Sequence, residues 1–149
     1  MALARTPWPY TADDARWFVD QPQDSRCPHF FVTLPTSMAP AAIIGCVGLT
    51  RGDAGVELGY WIAREHWGRG FATEAARAVL AFGFTHLGVH RVEAHCVAEN
   101  TGSAHVLEKI GLQLEGHLRH KEFFKSRWWD TLVYAILEPE WRAAQAPRG

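Results

Sequence analysis

The spacing of apolar residues changes several times along the chain, and each change predicts a new structural element. Short apolar runs rich in β-branched and aromatic residues predict strands at residues 30–34, 43–49 and 56–63. Glycines and an aspartate between residues 51 and 55 predict a turn that joins the second and third runs. These three runs together predict an antiparallel meander.

The middle of the chain has a helical period instead. Between residues 72 and 87, apolar side chains recur every three or four positions, which is typical of an amphipathic helix. The elements predicted after it are a strand, a short helix ended by a glycine, and two more strands, at residues 90–97, 103–110, 112–118 and 130–137. Because a helix separates the strands at 56–63 and 90–97, we expect them to be joined by a parallel crossover.

A further helix is predicted near the start of the chain. Thr11 and Asp14 have the spacing of a capping box, and the apolar residues Ala15, Phe18 and Val19 follow it. All of these elements together predict an α/β (α+β) fold. Its sheet is expected to be mixed, mostly antiparallel with a central parallel strand pair, and flanked by helices.

Composition limits the class of protein. A chain of 149 residues has about the length of one domain. Its net charge of −1 lacks the basic excess that nucleic-acid binding requires. The longest apolar run, 41–49, is far shorter than the ~20 residues that span a membrane, and residues 1–9 lack the pattern of a secretory signal. We therefore expect one domain, 1–149, with neither nucleic acid nor membrane as a partner.

The cysteines and histidines fit neither a disulfide framework nor a zinc site. Cys27, Cys46 and Cys96 are an odd and widely scattered set, unlike the cysteines of a disulfide-stabilised domain. The chain has eight histidines, but no paired spacing typical of a zinc site occurs. We expect a cytoplasmic protein without a metal.

Small residues cluster between the strand at 56–63 and the helix at 72–87. Gly68 and Gly70 allow the loop to curl with its N–H groups inward, and the helix then presents its first N–H groups and positive dipole end. A pyrophosphate fits this arrangement, and so does a plain turn that uses glycine for its φ angles. The Gly-Lys-Ser/Thr of a P-loop is missing, and Thr73 stands where a dinucleotide fingerprint has glycine.

Four segments in combination carry a resemblance to a known family. They are Glu-Leu-Gly-Tyr-Trp-Ile at 57–62, the loop at 67–74, Ala-Glu-Asn-Thr-Gly-Ser at 98–103 and Leu-Glu-Lys-Ile-Gly-Leu at 107–112. Together they resemble the GCN5-related N-acetyltransferases (GNATs), and within them the RimJ/RimL-like branch, over about residues 8–141. The resemblance implies direct transfer of an acetyl group from acetyl-CoA to a primary amine, either a protein N-terminus or a small molecule. It also implies that the parallel strands splay around acetyl-CoA.

The resemblance implies an acetyl-CoA site made largely of backbone groups. The pyrophosphate is expected on the glycine loop, where Trp67 replaces the usual Gln or Arg, and the pantetheine arm beside the end of the preceding strand. Asn100 matches the family residue that reaches the pantetheine, and it also suits a helix N-cap. The expected binding residues are Trp61, Ile62, Ala63, Trp67, Gly68, Arg69, Gly70, Phe71, Ala72, Thr73, Asn100, Ser103 and Lys109.

The resemblance also implies catalytic roles. Many family members use a tyrosine as the acid on the helix after the asparagine, but Leu107 occupies that position here. Ser103 is then expected to donate to the departing thiolate. Glu122, expected just beyond the next-to-last strand, is the first candidate for the general base, with Glu57 as the rival and His95 third.

Two other functions stay open beside the enzyme. Without the helix tyrosine, the chain would also suit an acyl-CoA-binding sensor that lacks a working base, and the glycine loop alone would suit a nucleotide-binding switch. The acceptor is not specified by the sequence, since protein N-termini, polyamines, amino acids and antibiotics all present amines.

The start of the chain and two tryptophans carry further expectations. The strand and helix that usually open this family have no counterpart before Trp8. Either the chain begins late or a second chain completes the sheet, and we expect a homodimer. Trp17 and Trp141 are expected to pack in the core.

Overall fold

The computed structural model describes residues 9, 11–22, 24, 26–34, 41–52 and 55–146. Residues before Trp8 and the centre of the turn at 51–55 lie outside this part, so the expectations for them stay predictions. The described elements, in chain order, are α1 (Ala12–Asp20), β1 (His29–Leu34), β2 (Ala42–Gly52), β3 (Gly55–Ile62), α2 (Phe71–His86), β4 (Arg91–Val97), α3 (Thr101–Lys109), β5 (Gln113–Phe124), β6 (Arg127–Leu137) and α4 (Glu138–Gln145).

The described strands form one mixed sheet in the order β1-β2-β3-β4-β6-β5. All neighbours are antiparallel except β3 and β4, which are parallel. This confirms the mixed, mostly antiparallel sheet with its central parallel pair.

The parallel pair is short. β3 and β4 pair only at Val56 with Val92 and at Glu57 with Glu93, although β3 continues to Ile62 and β4 to Val97. The strands therefore diverge beyond Glu57 and Glu93, which confirms the splayed pair. The divergence leaves a gap between their carboxyl ends.

Helices α2 and α3 cover one face of the sheet. Leu80 of α2 and Leu107 of α3 are almost completely buried, together with Leu49 of β2 and Val92 of β4. Burying one such leucine side chain contributes about 1.5–3 kcal/mol to the free energy of unfolding. This shared core fixes both helices beside the gap.

The first helix begins as the sequence predicts. The Thr11 side chain accepts a hydrogen bond from the Asp14 N–H at 3.2 Å, and the Asp14 carboxylate accepts one from the Thr11 N–H at 2.8 Å. The Thr11 hydroxyl also donates to the Asp14 carboxylate at 2.6 Å, and this bond, with the one from the Thr11 N–H, lowers the pKa of Asp14 below its ordinary value. The capping box is confirmed.

The two tryptophans expected in the core have different outcomes. The expectation for Trp17 is wrong, because its side chain is 66% exposed and α1 buries none of its residues. The helix touches the sheet at its rim, where the Phe18 ring meets His29 edge-on at 5.9 Å. Trp141 does pack against the core, and its ring stacks on that of Phe84 with the ring centres 5.2 Å apart.

The last two strands form a longer hairpin than the sequence predicts. Glu122 was expected beyond the strand, but it lies within β5 and pairs with Trp129. The register shifts between Leu118 and Glu122, where His120 has a φ of 49°. This irregularity interrupts the alternation of apolar and polar residues without ending the strand. The strand predicted from the sequence therefore ends at residue 118, whereas β5 continues to Phe124.

Asp130 holds the irregular part of β5 in place. Its carboxylate accepts hydrogen bonds from the His120 N–H at 2.9 Å and, at 2.8 Å, from Nε2 of His117. The same bonds lower the pKa of Asp130.

Helix α4 was not predicted. It begins directly after β6, with Pro139 in its first turn and the Glu140 carboxylate accepting a hydrogen bond from the Leu137 N–H at 2.9 Å. Proline followed by glutamate is an N-terminal signal that could have found it. In the part of the chain that the structure describes, no helix is both long and apolar enough to cross a membrane.

Candidate active site

The glycine loop joins the end of β3 to the start of α2. Gly68 and Gly70 have φ values of 72° and 84°, in the left-handed region that glycine adopts without strain. A Cβ on either residue would meet no protein atom within 4 Å, so the adjoining space is open. Gly70 is the N-cap of α2 and no side chain caps the helix there.

This geometry fits a pyrophosphate. The first residues of the helix, Phe71, Ala72 and Thr73, have no preceding turn whose carbonyls could accept their N–H groups. These amides and the helix dipole favour an anion at this end. The open space beside Gly68 and Gly70 would admit it to the backbone.

The side chains of Trp67 and Arg69 fix the shape of the loop. The Trp67 indole N–H donates to the Ile62 carbonyl at 2.7 Å, which ties the loop to the end of β3. The Arg69 guanidinium lies 5.1 Å from the centre of the Phe71 ring and 3.3 Å from Nδ1 of His66. Trp67 therefore has a structural use in this loop.

The end of β3 borders the gap between the parallel strands. Trp61 pairs with Cys46 of β2, and the Ala63 N–H donates to the Ile44 carbonyl at 2.7 Å. On its other side, β3 has no partner beyond Glu57 among the strands that the structure describes. Backbone groups on that side are open to an extended ligand, although the Ile62 carbonyl already accepts from the loop.

The start of α3 faces the same gap. Asn100 caps the helix, its Oδ1 accepting a hydrogen bond from the Ser103 N–H at 3.2 Å. The Ser103 hydroxyl lies 2.9 Å from the Tyr60 hydroxyl of β3. Asn100 and Ser103, which the sequence places three residues apart, are thus brought together with a tyrosine from another element.

Sequence reasoning missed Tyr60. It lies in the Gly-Tyr-Trp stretch of the resemblance, and alternation along β3 gives it the same face as Val56 and Leu58, which are buried. Burial raises the pKa of the Tyr60 hydroxyl to about 12, and the Ser103 hydrogen bond offsets part of that rise. Alternation could have predicted which way Tyr60 faces, but not that it meets Ser103.

Leu107 and Lys109 of α3 occupy positions for which the resemblance implies a catalytic tyrosine and a CoA contact. Leu107, at the position of the family's tyrosine, is 1% exposed and packs in the core. Lys109 is the last residue of α3, and its carbonyl accepts a hydrogen bond from Arg77 of α2 at 3.2 Å. Six residues of helix, about 9 Å, separate Lys109 from Ser103.

Glu57 lies where the parallel strands diverge. Because Leu58 pairs with Leu49 and Leu49 faces α2, alternation puts Glu57 on the opposite face of the sheet. Nδ1 of His95 is 3.7 Å from the Glu57 carboxylate, and Nε2 of His95 is 3.7 Å from that of Glu93. Glu57 and His95 are therefore brought together.

Arg91 holds the neighbouring carboxylates. Its guanidinium is 2.7 Å from Glu93 and 2.6 Å from Glu115. Hydrogen bonds from Arg91 lower the pKa of Glu115, and those carboxylates raise the pKa of Arg91.

Glu122 is remote from this group. It pairs with Trp129, whereas Glu93 pairs with Ala135, six residues away along β6. At about 3.3 Å per residue the separation along the strand is about 20 Å. The two first candidates for the base therefore lie in different parts of the surface.

The described residues contain no group of three or more His, Cys, Asp or Glu side chains arranged to hold a metal ion. Cys27, Cys46 and Cys96 are all free and buried. Burial raises the pKa of the Cys96 thiol to about 11.

Comparison with known proteins decides the family. The family model for the acetyltransferase (GNAT) domain matches residues 1–113. The chain belongs to the GNAT family. A GNAT domain uses acetyl-CoA as its acetyl donor, which fits the open glycine loop.

Relatives of this GNAT match different shares of its length. It is 34% identical to the uncharacterized N-acetyltransferase YnaD of Bacillus subtilis, over 89% of this chain and 77% of that protein. It is 35% identical to the spermidine N(1)-acetyltransferase of Vibrio cholerae, over 54% of this chain and 46% of that protein. The GNAT domain and the relatives named as N-acetyltransferases together show that the protein is an N-acetyltransferase enzyme.

Solved structures agree with the fold of this GNAT. A GNAT acetyltransferase from Bacillus anthracis has a TM-score of 0.76 and 33% identity, over 87% of this chain and 76% of that one. A mutant of the spermidine N-acetyltransferase SpeG from Vibrio cholerae has a TM-score of 0.72 and 27% identity, over 90% and 77%.

The glycine loop generates a prediction for CoA binding. Gly70→Val should abolish binding measured by calorimetry, because the branched side chain would both strain a φ of 84° and fill the open space beside the amides. Gly88→Val is the matched control, since Gly88 also has a positive φ (62°) and open space but lies beyond the other end of α2. Normal CoA affinity in Gly70→Val would contradict the assignment of this loop.

Proposed function

We propose that this GNAT, as a RimJ/RimL-like member, transfers the acetyl group of acetyl-CoA directly to a small cationic primary amine. The observation that carries the proposal is the uncapped start of α2, with its open glycine loop, beside the gap between β3 and β4. The loop suits the pyrophosphate and the edge of β3 suits the pantetheine arm. Asn100 and Ser103 border the same gap.

The binding roles follow from this placement. We assign the pyrophosphate to Gly68–Thr73, shaped by Trp67 and Arg69. We assign the pantetheine to the end of β3 at Trp61, Ile62 and Ala63, through the backbone groups that are not already bonded to β2 or to Trp67. Asn100 would donate to the pantetheine from its side-chain Nδ2, since its Oδ1 already accepts from the Ser103 N–H. Lys109 is assigned to the outer part of CoA, since it is exposed at the far end of α3.

Charge favours a cationic acceptor. Glu57 and Glu93 flank His95 on the sheet face opposite α2 and α3, and Arg91 joins Glu93 to Glu115, so that the group contains three carboxylates and one guanidinium. Carboxylates attract an amine that is mostly protonated in solution. Relatives named as spermidine N(1)-acetyltransferases in Vibrio cholerae and Escherichia coli support an acceptor of this kind. A relative named as a putative ribosomal N-acetyltransferase keeps the protein N-terminus as the rival acceptor.

A screen of acetyl-CoA consumption tests the function. Release of free CoA thiol should be fastest with di- and polyamines and slower with amino acids or peptides that offer only an N-terminus. Faster turnover of N-terminal peptides would contradict the cationic acceptor. Binding of CoA without turnover of any amine would indicate a sensor, and binding of ATP or NAD in place of CoA would indicate a nucleotide switch.

We propose Glu57 as the general base. Its side chain is 16% exposed and sits at the point where the parallel strands diverge, next to His95. A base must reach the amine directly or through one water. Glu122, the rival, lies about 20 Å further along the sheet by strand geometry.

The two carboxylates differ in their expected pH profiles. Glu57→Gln should preserve acetyl-CoA binding and reduce turnover most at low pH, where the acceptor is mostly protonated and must lose its proton on the enzyme. Its defect should shrink as pH rises toward about 10, the ordinary pKa of an alkylamine. Glu122→Gln is the matched control and should retain the wild-type profile. The opposite result, with the low-pH defect in Glu122→Gln, would assign the base to Glu122.

We also propose that the enzyme is a cytoplasmic homodimer. β1 is an edge of the described sheet, and its Phe31 side chain is 57% exposed. An open strand edge with apolar side chains favours pairing with a second copy. Free, buried cysteines are typical of a reducing compartment.

Sedimentation tests the assembly. The wild-type chain should sediment as a dimer, and Phe31→Lys should shift it toward the monomer because a charge at the edge opposes strand pairing. Trp128→Lys is the control, since the Trp128 side chain is 55% exposed, close to the value for Phe31, but lies on β6, far from β1 in the strand order. A wild-type monomer at all concentrations would exclude the dimer.

A further inference from the structure

The Tyr60 hydroxyl connects the two sides of the gap. Tyr60 belongs to β3, and Ser103 belongs to α3, which follows β4. The Tyr60 oxygen lies 2.9 Å from the Ser103 hydroxyl and 3.2 Å from the Ser103 carbonyl. The phenol thus reaches across the gap at the place where β3 and β4 no longer pair.

The two contacts leave a choice of proton positions. A carbonyl only accepts, so if Tyr60 donates to it, the Ser103 hydroxyl donates to Tyr60 and has no proton left to give. If Tyr60 donates to the Ser103 hydroxyl oxygen, the Ser103 proton is free to point elsewhere. An anion beside Ser103 stabilises the second arrangement, because each bond in such a chain strengthens the next.

We propose that Tyr60 is the positioning residue that turns the Ser103 hydroxyl toward the CoA sulfur. It thereby takes over, from β3, a task that Leu107 cannot perform on α3. This inference rests on the proposed acetyl transfer. The amine nitrogen bonds to the acetyl carbon, its proton goes to the base, and the electron pair of the C–S bond moves to sulfur. Ser103 then donates a hydrogen bond to the thiolate, and both hydroxyl groups keep their protons.

The environment of Tyr60 suits a fixed donor. Burial holds its pKa at about 12, so the phenol stays protonated throughout the working range of the enzyme. The Cys96 thiol also interacts with Ser103, and its pKa of about 11 keeps it neutral as well. These two neighbours of Ser103 are therefore neutral, and neither opposes the formation of a thiolate.

A titration of bound CoA tests the inference without any acceptor amine. The ultraviolet absorbance of the thiolate, corrected for the protein alone, reports the pH at which the bound thiol ionises. In Tyr60→Phe and in Ser103→Ala the bound thiol should ionise about 0.5–1 pH unit higher than in the wild type, the equivalent of one lost hydrogen bond. An unchanged titration in Tyr60→Phe would overturn the proposal.

Kinetics supply the second readout. Tyr60→Phe should lower kcat about two- to tenfold with little change in the KM for acetyl-CoA. In the Ser103→Ala background the same change should have no further effect, because Tyr60 acts through Ser103. Equal losses in both backgrounds, or a raised KM with normal kcat, would show that Tyr60 serves only the structure.

Tyr134→Phe is the matched control. Tyr134 also reaches from the sheet to α3, where its hydroxyl donates to Glu108 at 3.1 Å, and it is 2% exposed. Tyr134→Phe therefore shows how the loss of a tyrosine hydrogen bond to α3 changes the titration and the kinetics when that bond does not involve Ser103. An effect of Tyr134→Phe on the thiolate titration equal to that of Tyr60→Phe would contradict the proposal. A wild-type chain that acetylates no amine would contradict the proposed function instead, and the titration would still decide the role of Tyr60.

Discussion

The divergence of β3 from β4 is the constraint on which the rest of the site depends. A strand buried in a sheet normally satisfies its backbone groups on both sides, but these two strands pair at only two positions. Beyond that point, β3 keeps its antiparallel partner β2 on one side and faces a gap on the other. The fold tolerates this because α2 and α3 pack over the sheet through a core that includes Leu49, Leu80 and Leu107.

The gap has a different chemistry at each face of the sheet. On the helix side lie the uncapped start of α2, the capped start of α3 and the hydroxyl groups of Tyr60 and Ser103. On the opposite side lie the carboxylates around His95. An anionic ligand and a cationic one are thus favoured on opposite faces, and they would meet where the strands part. This arrangement suits a reaction between a CoA thioester and an amine.

A second consequence concerns the missing tyrosine. Leu107 stands where many family members have a tyrosine. It is almost completely buried and helps to hold α3 against the sheet. A hydroxyl at that position would have to be satisfied in the core. The phenol of Tyr60 lies on β3 instead, where its ring packs against the core and its oxygen is 2.9 Å from the Ser103 hydroxyl.

The sequence by itself determined the order of elements from α1 to β6, the central parallel pair, the glycine loop and the capping residues Thr11 and Asn100. These depend on interactions between residues a few positions apart, or on an alternation that one strand carries alone. The tertiary structure alone decided that Tyr60 meets Ser103, 43 residues later, that Glu57 meets His95, and that Trp17 is exposed while Trp141 is packed. Such contacts depend on how far β3 and β4 diverge, on where α1 rests and on the irregularity in β5. Those features arise from the packing of distant segments, which no local pattern encodes.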